Sequence, residues 1–290
     1  MAASDNWIHE ATRRLVNDHF PWGDEATRPQ GWEERLAHVH RWLAGETGIY
    51  RNIATSLLAR VEPLLDVLQA SLPEGERGRL FARVDARHIT KSPESILEKM
   101  ARLWTGPEAP PPVSFHNLDQ LKDLGRFRIA ANFLGDVETI TRALAEPYDT
   151  AKAGGLTPEQ RQLRAEFLLH DNQFENLISI LPERRKSGER CMKGWFSPRQ
   201  ADLRVYRVEV QILTLFQESW DKKEHCLLYE PARRREPVPE SHRILCTELS
   251  AALSLVDHQF DQLRREVQAR RAQHRPAPSA DVPEVLHAPA

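Results

Sequence analysis

Two short segments in which apolar and polar residues alternate constrain the fold of this chain more than any other feature. Residues 127–134 and residues 206–213 have the pattern and the composition of β-strands, and the second segment carries Glu209 between two valines. Long stretches with helical periodicity flank and separate both segments. Strands set among helices in this order are typical of an α+β protein, so we expect a mixed β-sheet core wrapped by helices.

Apolar residues recur at helical spacing through the N-terminal part of the chain. They predict amphipathic helices over 7–15 and 32–43, and a third helix over 53–72 in which Pro63 introduces a kink. We therefore assign residues 1–85 to an N-terminal helical region.

Helix and turn signals divide the middle of the chain. Helices are predicted over 137–145 and 214–229, and a further helix begins at Thr157 and continues to about residue 181. A basic, Gly- and Pro-containing loop is predicted over 182–200.

A stripe of apolar residues from 245 to 267 predicts a long C-terminal helix. This helix either packs on the body or joins two copies into a homo-oligomer. Beyond Arg275 the Pro- and Ala-rich tail is expected to be disordered. The resulting division is a core over 86–232, a C-terminal helix over 233–272 and a tail over 273–290.

The composition excludes some classes of protein. With 40% hydrophobic and 28% charged residues, the 290-residue chain buries a sizeable core and is not wholly disordered. A net charge of −2 argues against a protein that binds nucleic acid over its whole surface, although the basic runs 184–186 and 233–235 leave local phosphate contacts open.

Cysteine usage and hydropathy predict the compartment. The three cysteines, Cys191, Cys226 and Cys246, are odd in number and lack metal-ligand spacing, which fits a reducing cytosol. Charged residues interrupt the N-terminus, and no segment approaches the roughly 18 apolar residues of a membrane span. We expect a soluble, cytoplasmic protein with no membrane partner.

The residues around a strong helix start form a candidate phosphate site. Ser92 suits the cap and Pro93 the first helical position, and Lys91, Ser95 and Lys99 surround the first turn. Backbone amides, the helix dipole and two ammonium groups at this place suit a phosphate group. The alternative is a pair of solvated surface lysines.

Two carboxylates in separate segments are candidates for a metal site. Asp123 precedes the first strand, and Glu209 lies inside the second, where burial is costly unless the group is paired or binds a metal. On neighbouring strands they would converge on one Mg²⁺ ion, which phosphoryl-type transfer requires. The alternative is an exposed glutamate and a loop-capping aspartate. On the helix that follows, His225 is either a packed residue or a catalyst.

Three blocks of residues resemble, in order and spacing, the motifs of RelA/SpoT-type (p)ppGpp synthetases, and the flanking helices resemble those of small alarmone synthetases. The blocks are Lys-Ser-Pro-Glu-Ser-Ile-Leu-Glu-Lys-Met at 91–100, Asp-Leu-Gly-Arg-Phe-Arg at 123–128, and Val-Glu-Val-Gln-Ile-Leu-Thr at 208–214, which is followed by Trp220 and His225. The similarity spans about residues 50–268.

The resemblance implies a nucleotidyltransferase-like fold and an ATP-dependent pyrophosphokinase that uses Mg²⁺. It implies that Asp123 and Glu209 bind the metal and that Glu209 helps to activate the 3′-hydroxyl of the acceptor. The implied ATP-binding residues are Lys91, Ser95, Lys99 and Arg128, the last of which stacks on adenine. The default acceptor is GDP or GTP, and the implied acceptor-binding residues are Trp195, Lys193, Arg199, Gln211 and His225.

The chain departs from the family mainly where the acceptor binds. Gly-Trp-Phe-Ser-Pro-Arg at 194–199 stands in place of the family's Gly-Tyr-x-Ser-x-His, so Trp195 keeps a stacking surface while the histidine is absent. Ile89 and Leu213 each replace a family arginine. Adenine nucleotides and the tRNA 3′ end, which some toxic small alarmone synthetases use, therefore stay open as acceptors. The alternative to an enzyme is a non-catalytic module that senses nucleotides or binds a protein.

Overall fold

The computed structural model describes residues 2–23, 28–104, 109–179, 188–199, 206–233 and 236–273. The basic run 184–186, residues 234 and 235 of the second basic run, and the tail from 274 onward lie outside the described residues. The described strands are β1 (Phe81–Asp85), β2 (Gly125–Ala131), β3 (Phe167–Leu169), β4 (Glu175–Asn176), β5 (Met192–Pro198) and β6 (Val208–Thr214). The described α-helices are α1 (Ala2–Arg14), α2 (Trp32–Ser71), α3 (Pro93–Leu103), α4 (Leu134–Ala145), α5 (Pro158–Glu166), α6 (Leu215–Glu224), α7 (Glu230–Arg233) and α8 (Glu240–Gln273).

The six strands form one mixed sheet in the order β1-β2-β6-β5-β3, with β4 paired to β5. The central strands β2 and β6 are parallel, whereas β1, β5 and β3 pair with their neighbours in antiparallel fashion. A mixed sheet surrounded by helices confirms the predicted α+β fold.

The two faces of the sheet carry opposite kinds of side chain, because successive residues of a strand point to opposite sides. One face is apolar and packs against α2, α4 and α5; it is formed by Phe127, Ile129, Phe196, Val208, Val210 and Ile212. The other face, called the polar face below, is formed by Arg126, Arg128, Lys193, Trp195, Ser197, Glu209 and Gln211. The pairing register brings the polar residues of β2, β6 and β5 into adjacent rows.

The N-terminal region contains one long helix where the sequence predicts two. The predicted segments 32–43 and 53–72 are parts of α2, which continues through Pro63. Pro63 removes only one intrahelical hydrogen bond, and burial of Val61, Leu64 and Leu65 holds the helix together on both sides of it. The first part of α2 packs with α1 and α3 in a second apolar cluster.

Strand β1 is a correction to the prediction that the first 85 residues are helical. It pairs with β2 at the edge of the sheet. Its sequence, Phe-Ala-Arg-Val-Asp, gives only a weak strand signal because it is short and has two strong strand formers. The strand predicted over 127–134 begins and ends earlier, and Leu134 already belongs to α4.

The segment between Thr157 and residue 200 differs most from its prediction. The helix that begins after Thr157 ends at Glu166, and the chain then forms β3 and β4. The predicted loop over 182–200 contains β5, which lies between β6 and β3. Gly194 permits this packing, because a side chain there would clash with the ring of Phe174.

Helix α8 packs on the body through polar side chains. Asp257 accepts a hydrogen bond from the Thr214 hydroxyl at 2.6 Å, and Asp261 accepts one from the Gly135 amide at 2.9 Å. The predicted apolar stripe instead faces outward, with Leu249 51% exposed. Among the described helices, none combines the length and apolar character needed to cross a bilayer.

Candidate active site

The N-terminus of α3 forms as the sequence predicts. The Ser92 side chain accepts a hydrogen bond from the Ser95 amide at 3.2 Å, and Pro93 occupies the first turn. Segment 89–91 runs beside the start of β2, since the Lys91 amide donates to the Leu124 carbonyl at 3.1 Å. This pairing brings the start of α3 to the edge of the polar face.

Asp123 lies between the two lysines of the predicted phosphate site. Its carboxylate is 3.0 Å from Lys91 Nζ and 2.7 Å from Lys99 Nζ. Burial opposes ionisation of Asp123, but the two ammonium groups outweigh it and hold the pKa of Asp123 below its ordinary value. Burial also lowers the pKa of Lys91. These lysines are therefore not solvated surface residues, and the cluster of two cations and one anion retains an excess positive charge.

Glu209 is buried in β6, at 6% exposure, so it is not the exposed-face glutamate of the alternative interpretation. The Gln211 amide donates a hydrogen bond to its carboxylate. Burial raises the pKa of Glu209; the charge of Lys193 opposes this shift and that of Asp123 adds to it. Arg126 lies directly beside Glu209 in the β2-β6 register. The structure thus brings both predicted carboxylates to one region of the polar face.

The donor set of this region fits Mg²⁺. Within the described residues, no group of three or more His, Cys, Asp and Glu side chains forms a metal site built from protein ligands alone. Mg²⁺ commonly binds through one or two carboxylates and completes its shell with water and substrate phosphates. Asp123 and Glu209 supply that number of carboxylates, and the charge of one raises the pKa of the other, which a divalent cation between them would relieve.

Arg128 lies on the polar face two residues after Arg126. Its guanidinium forms an ion pair with Asp221 of α6 at 2.7 Å. Helix α6 therefore flanks the polar face on this side, and Arg128 is positioned by a partner rather than extended into solvent.

Trp195 lies on strand β5 rather than in a loop, directly opposite Glu209 in the β5-β6 register. Lys122 Nζ lies 5.5 Å from the centre of its ring. Its indole Nε1 is buried and has no hydrogen-bond partner among the described residues. On the same face, Lys193 is paired with Glu189 at 2.8 Å. Trp195 and Lys193 therefore lie on the same face of the sheet as Glu209.

Two predicted acceptor-binding residues lie elsewhere. The guanidinium of Arg199 donates a hydrogen bond to the backbone carbonyl of Arg164. Its charge opposes the rise that burial causes in the pKa of Tyr148, which packs on the apolar face against Phe196. Arg199 follows Pro198, the last residue of β5, and its side chain is turned away from the polar face.

His225 is exposed on a π-helical turn after α6, where it contacts Glu230 at 3.5 Å and the ring of Tyr229. The His225 ring thus contacts residues of its own turn, whereas the Gln211 side chain donates a hydrogen bond to the Glu209 carboxylate. Gln211 therefore lies beside Glu209 on the polar face, whereas the ring of His225 packs on Tyr229. Acceptor binding by either residue stays a prediction.

Three residues near Trp195 were missed in the sequence. His170 bonds Ser197 of the polar face at 2.6 Å, and the charges of Lys122 and Arg207 act on its pKa. A signal existed for Arg207, which lies two residues before Glu209 and so shares its face. No signal existed for His170, because its segment was assigned to a helix.

Comparisons with known proteins support the resemblance that the motifs indicate. GTP pyrophosphokinase YjbM of Bacillus subtilis (strain 168) is 25% identical over 178 residues, which cover 61% of this chain and 70% of that protein. The crystal structure of small alarmone synthetase 1 from Bacillus subtilis, bound to its product pppGpp, matches with a TM-score of 0.55 at 19% identity, over 79% of this chain and 99% of that one. Small alarmone synthetase 2 from Bacillus subtilis matches with a TM-score of 0.52 at 15% identity, over 77% and 98%. No family model matches the chain. The chain thus resembles a GTP pyrophosphokinase in sequence and has the fold of small alarmone synthetases.

Proposed function

We propose that this chain is an ATP-dependent pyrophosphokinase that transfers the β,γ-pyrophosphate of ATP to the 3′-hydroxyl of GDP or GTP, making an alarmone of the (p)ppGpp type. The observation that carries this proposal is the convergence of Asp123, Lys91 and Lys99 with the buried Glu209 on one face of the sheet. The sequence similarity to a GTP pyrophosphokinase supports the same reaction.

The polar face has the groups that this transfer requires. The 3′-oxygen of the acceptor attacks the β-phosphorus of ATP, the bond from that phosphorus to the α,β-bridging oxygen breaks, and AMP leaves. The proton of the 3′-hydroxyl passes to Glu209. A carboxylate whose pKa is raised by burial is a stronger base than an exposed glutamate, which suits this role.

Lys91 and Lys99 would hold the phosphates of ATP. Both ammonium groups now contact Asp123, and they lie beside the first turn of α3, whose amides are directed toward an incoming anion. When bound by Asp123 and Glu209, Mg²⁺ would neutralise charge on the polyphosphate. Arg128, held by Asp221, offers a flat cationic surface for adenine.

Trp195 would carry the acceptor base. Its position opposite Glu209 brings a base stacked on the indole close to the proposed general base. Trp195 stands where the family has a stacking tyrosine, so a guanine nucleotide is the first candidate. Adenine nucleotides and the tRNA 3′ end are the competing acceptors.

The direct test is incubation of the purified chain with γ-labelled ATP, Mg²⁺ and one acceptor at a time: GDP, GTP, AMP, ATP or deacylated tRNA. We expect labelled pyrophosphate on GDP or GTP, equimolar AMP, and no transfer with Glu209→Gln. Transfer to AMP, ATP or tRNA alone would keep the reaction and replace the acceptor. No transfer to any acceptor, together with retained ATP binding, would instead favour the non-catalytic module.

The outward stripe of α8 supports a homo-oligomer as the assembled form. Exposed apolar residues form two pairs at a spacing of four residues, Leu245 with Leu249 and Leu263 with Val267. This spacing is self-complementary in a helix pair, while the polar side of the same helix is already used by the body. Light scattering should report a dimer or larger assembly that Leu249→Glu with Leu263→Glu dissociates, whereas the exposed control Gln259→Glu should leave it intact.

A further inference from the structure

The row of polar side chains continues beyond Trp195, away from the two carboxylates. Ser197 is the next residue of β5 on this face. Phe196 pairs with Val208, so the register extended by one residue sets Arg207 across from Ser197. The row therefore crosses the sheet from strand to strand. It runs from Asp123 beside β2, through Glu209 of β6 and Trp195 of β5, to His170 beside β3.

His170 is fixed at the far end of this row. Its Nε2 atom lies 2.6 Å from Ser197 Oγ. The chain turns sharply after it, since Asp171 and Asn172 both have positive φ angles, of 57° and 54°. Asp and Asn adopt this left-handed conformation more readily than other non-glycine residues, so the sequence itself favours a turn here. The turn thus presents the imidazole to the polar face from β3.

The surroundings of His170 are rich in positive charge and hydrogen-bond donors. Burial lowers the pKa of His170, the nearby charges of Arg207 and Lys122 lower it further, and the exposed Asp171 opposes them. Two buried donors, Trp195 Nε1 and Arg207 Nε, have no hydrogen-bond partner among the described residues. Buried polar groups are normally paired in folded proteins. A ligand with several acceptor oxygens and negative charge would pair both donors and would also accept a hydrogen bond from the His170 ring.

We infer that His170, Lys122 and Arg207 form an anion subsite that binds the 5′-phosphates of the acceptor nucleotide. The inference rests on the proposed function, and it names how the acceptor is held rather than what is transferred to it. The ATP phosphates are assigned to Lys91 and Lys99, at the opposite end of the row. From β6 to β3 is two strand spacings, roughly 10 Å, a span that a nucleotide covers between its 3′-hydroxyl and its 5′-phosphates.

The subsite would also place an imidazole beside the acceptor site, where segment 194–199 lacks the family's loop histidine. The place of that histidine is occupied by Arg199, which is turned toward Tyr148 on the apolar side. His170 comes from another strand yet reaches the same face through Ser197. The imidazole is thus supplied from β3 instead of from β5.

The test compares acceptors with and without phosphates in the intact chain. GDP, guanosine, ADP and adenosine are titrated by calorimetry into the Glu209→Gln variant, in which turnover is blocked, and into the same variant carrying His170→Gln or Arg207→Gln. We expect each added substitution to weaken binding of the preferred diphosphate about 10-fold or more, because a charged hydrogen bond is lost. Binding of the matching nucleoside should change less than twofold. The exposed His116→Gln and Arg142→Gln serve as controls that leave both affinities unchanged.

Each outcome separates this inference from the proposed function. Equal weakening of diphosphate and nucleoside would show a structural role for His170 and Arg207, and unchanged diphosphate affinity in both variants would also overturn the subsite. Absence of any binding by GDP and ADP would overturn it together with the nucleotide acceptor. In the active chain, the same substitutions should raise the KM of the acceptor and leave the KM of ATP unchanged. Loss of ATP binding instead would contradict the separation of the two phosphate sites.

Discussion

The two faces of the central sheet share one backbone and have opposite physical properties. On the apolar face, side chains such as Val210 and Ile212 are fully buried against helices. On the polar face, Glu209 is also buried, yet its burial raises its pKa and so disfavours its charged form. The apolar face therefore stabilises the fold, whereas the polar face holds charged groups at some cost in stability, as functional sites often do. Substitutions on the two faces should therefore separate stability from activity.

The largest expected effect is on the polar face. Asp123→Asn and Glu209→Gln should each lower the transfer rate by ~10³-fold or more, because each removes a charged metal ligand while it keeps the side-chain volume. The assay is labelled pyrophosphate transfer under saturating ATP. A near wild-type rate in either variant would show that the metal assignment is wrong.

The same Glu209→Gln variant should not lose stability. Burial raises the pKa of Glu209 in the folded state, so ionisation at neutral pH favours the unfolded state, and a neutral amide avoids that penalty. Thermal unfolding at pH 7 should give a Tm equal to or above that of the wild type. A marked drop in Tm would mean that the carboxylate is a structural anchor and that the contrast between the faces fails at this position.

On the apolar face the opposite result is expected. Ile212→Ala should lower the free energy of unfolding by about 2–5 kcal/mol, since it removes a fully buried side chain from the centre of the sheet. The rate per folded molecule should stay within about twofold of the wild type at a temperature where the variant is folded. Denaturant unfolding and the transfer assay, run on the same sample, provide both numbers.

How much of this division could be predicted depends on where each signal lies in the chain. Alternation in β2 and β6 predicts that Phe127 and Val210 share one face and Glu209 the other, because the period of a strand is fixed locally. The cap at Ser92 is likewise local, and it is present. The motif resemblance assigns Asp123, Lys91 and Lys99 to one active site, which no local pattern indicates, and the ion pairs among them are seen only in the structure.

The parts that could not be predicted depend on contacts between distant segments. β5 contains Gly194 and ends at Pro198, both weak strand residues, and it is a strand because β6 and β3 pair with it on its two sides. His170 lies in a segment with a helical sequence pattern, but the pairing of β3 with β5 determines its structure. The direction of the Arg199 side chain depends on the end of β5 and on the Arg164 carbonyl, and no local pattern indicates either.

The two lysines at α3 should show an intermediate effect. Lys91→Ala and Lys99→Ala should each weaken binding of Mg²⁺-ATP by about 10-fold, as each removes a cation from the phosphate site. Acceptor affinity, measured separately, should change little. Unchanged ATP affinity in both variants would mean that the lysines form ion pairs with Asp123 and do not bind ATP.

Trp195 tests whether an aromatic side chain on the polar face binds substrate or supports the fold. Trp195→Ala should raise the KM of the acceptor about 10- to 100-fold, because a base stacked on an aromatic ring contributes roughly 1–3 kcal/mol. The KM of ATP should not change. Trp195→Tyr should restore most of the affinity. Circular dichroism checks that each variant is folded. Equal losses of affinity for ATP and for the acceptor would contradict the stacking role.

The smallest expected effect compares a second buried carboxylate with Glu209. Asp257 of α8 packs against Thr214 at the end of β6, outside the proposed active site, and it accepts a hydrogen bond from the Thr214 hydroxyl. Burial raises the pKa of Asp257 to about 6, the Thr214 hydroxyl and His258 oppose the shift, and Asp261 adds to it. The folded state therefore binds a proton more tightly than the unfolded state does. The stabilising contribution of that proton is complete below the ordinary aspartate pKa and is lost as the pH rises toward 6.

Asp257→Asn keeps the shape and the acceptor atom for Thr214 but does not titrate. Relative to this variant, the wild type should lose on the order of 1 kcal/mol of unfolding free energy between pH 4 and pH 6.5. Denaturant unfolding at several pH values measures the difference, and the transfer rate at pH 7.5 should be unchanged. A difference that is flat with pH would mean that Asp257 titrates at its ordinary value. A loss of activity would instead connect the α8 contact to the polar face, because β6 carries Thr214 and Glu209 on opposite sides of one strand.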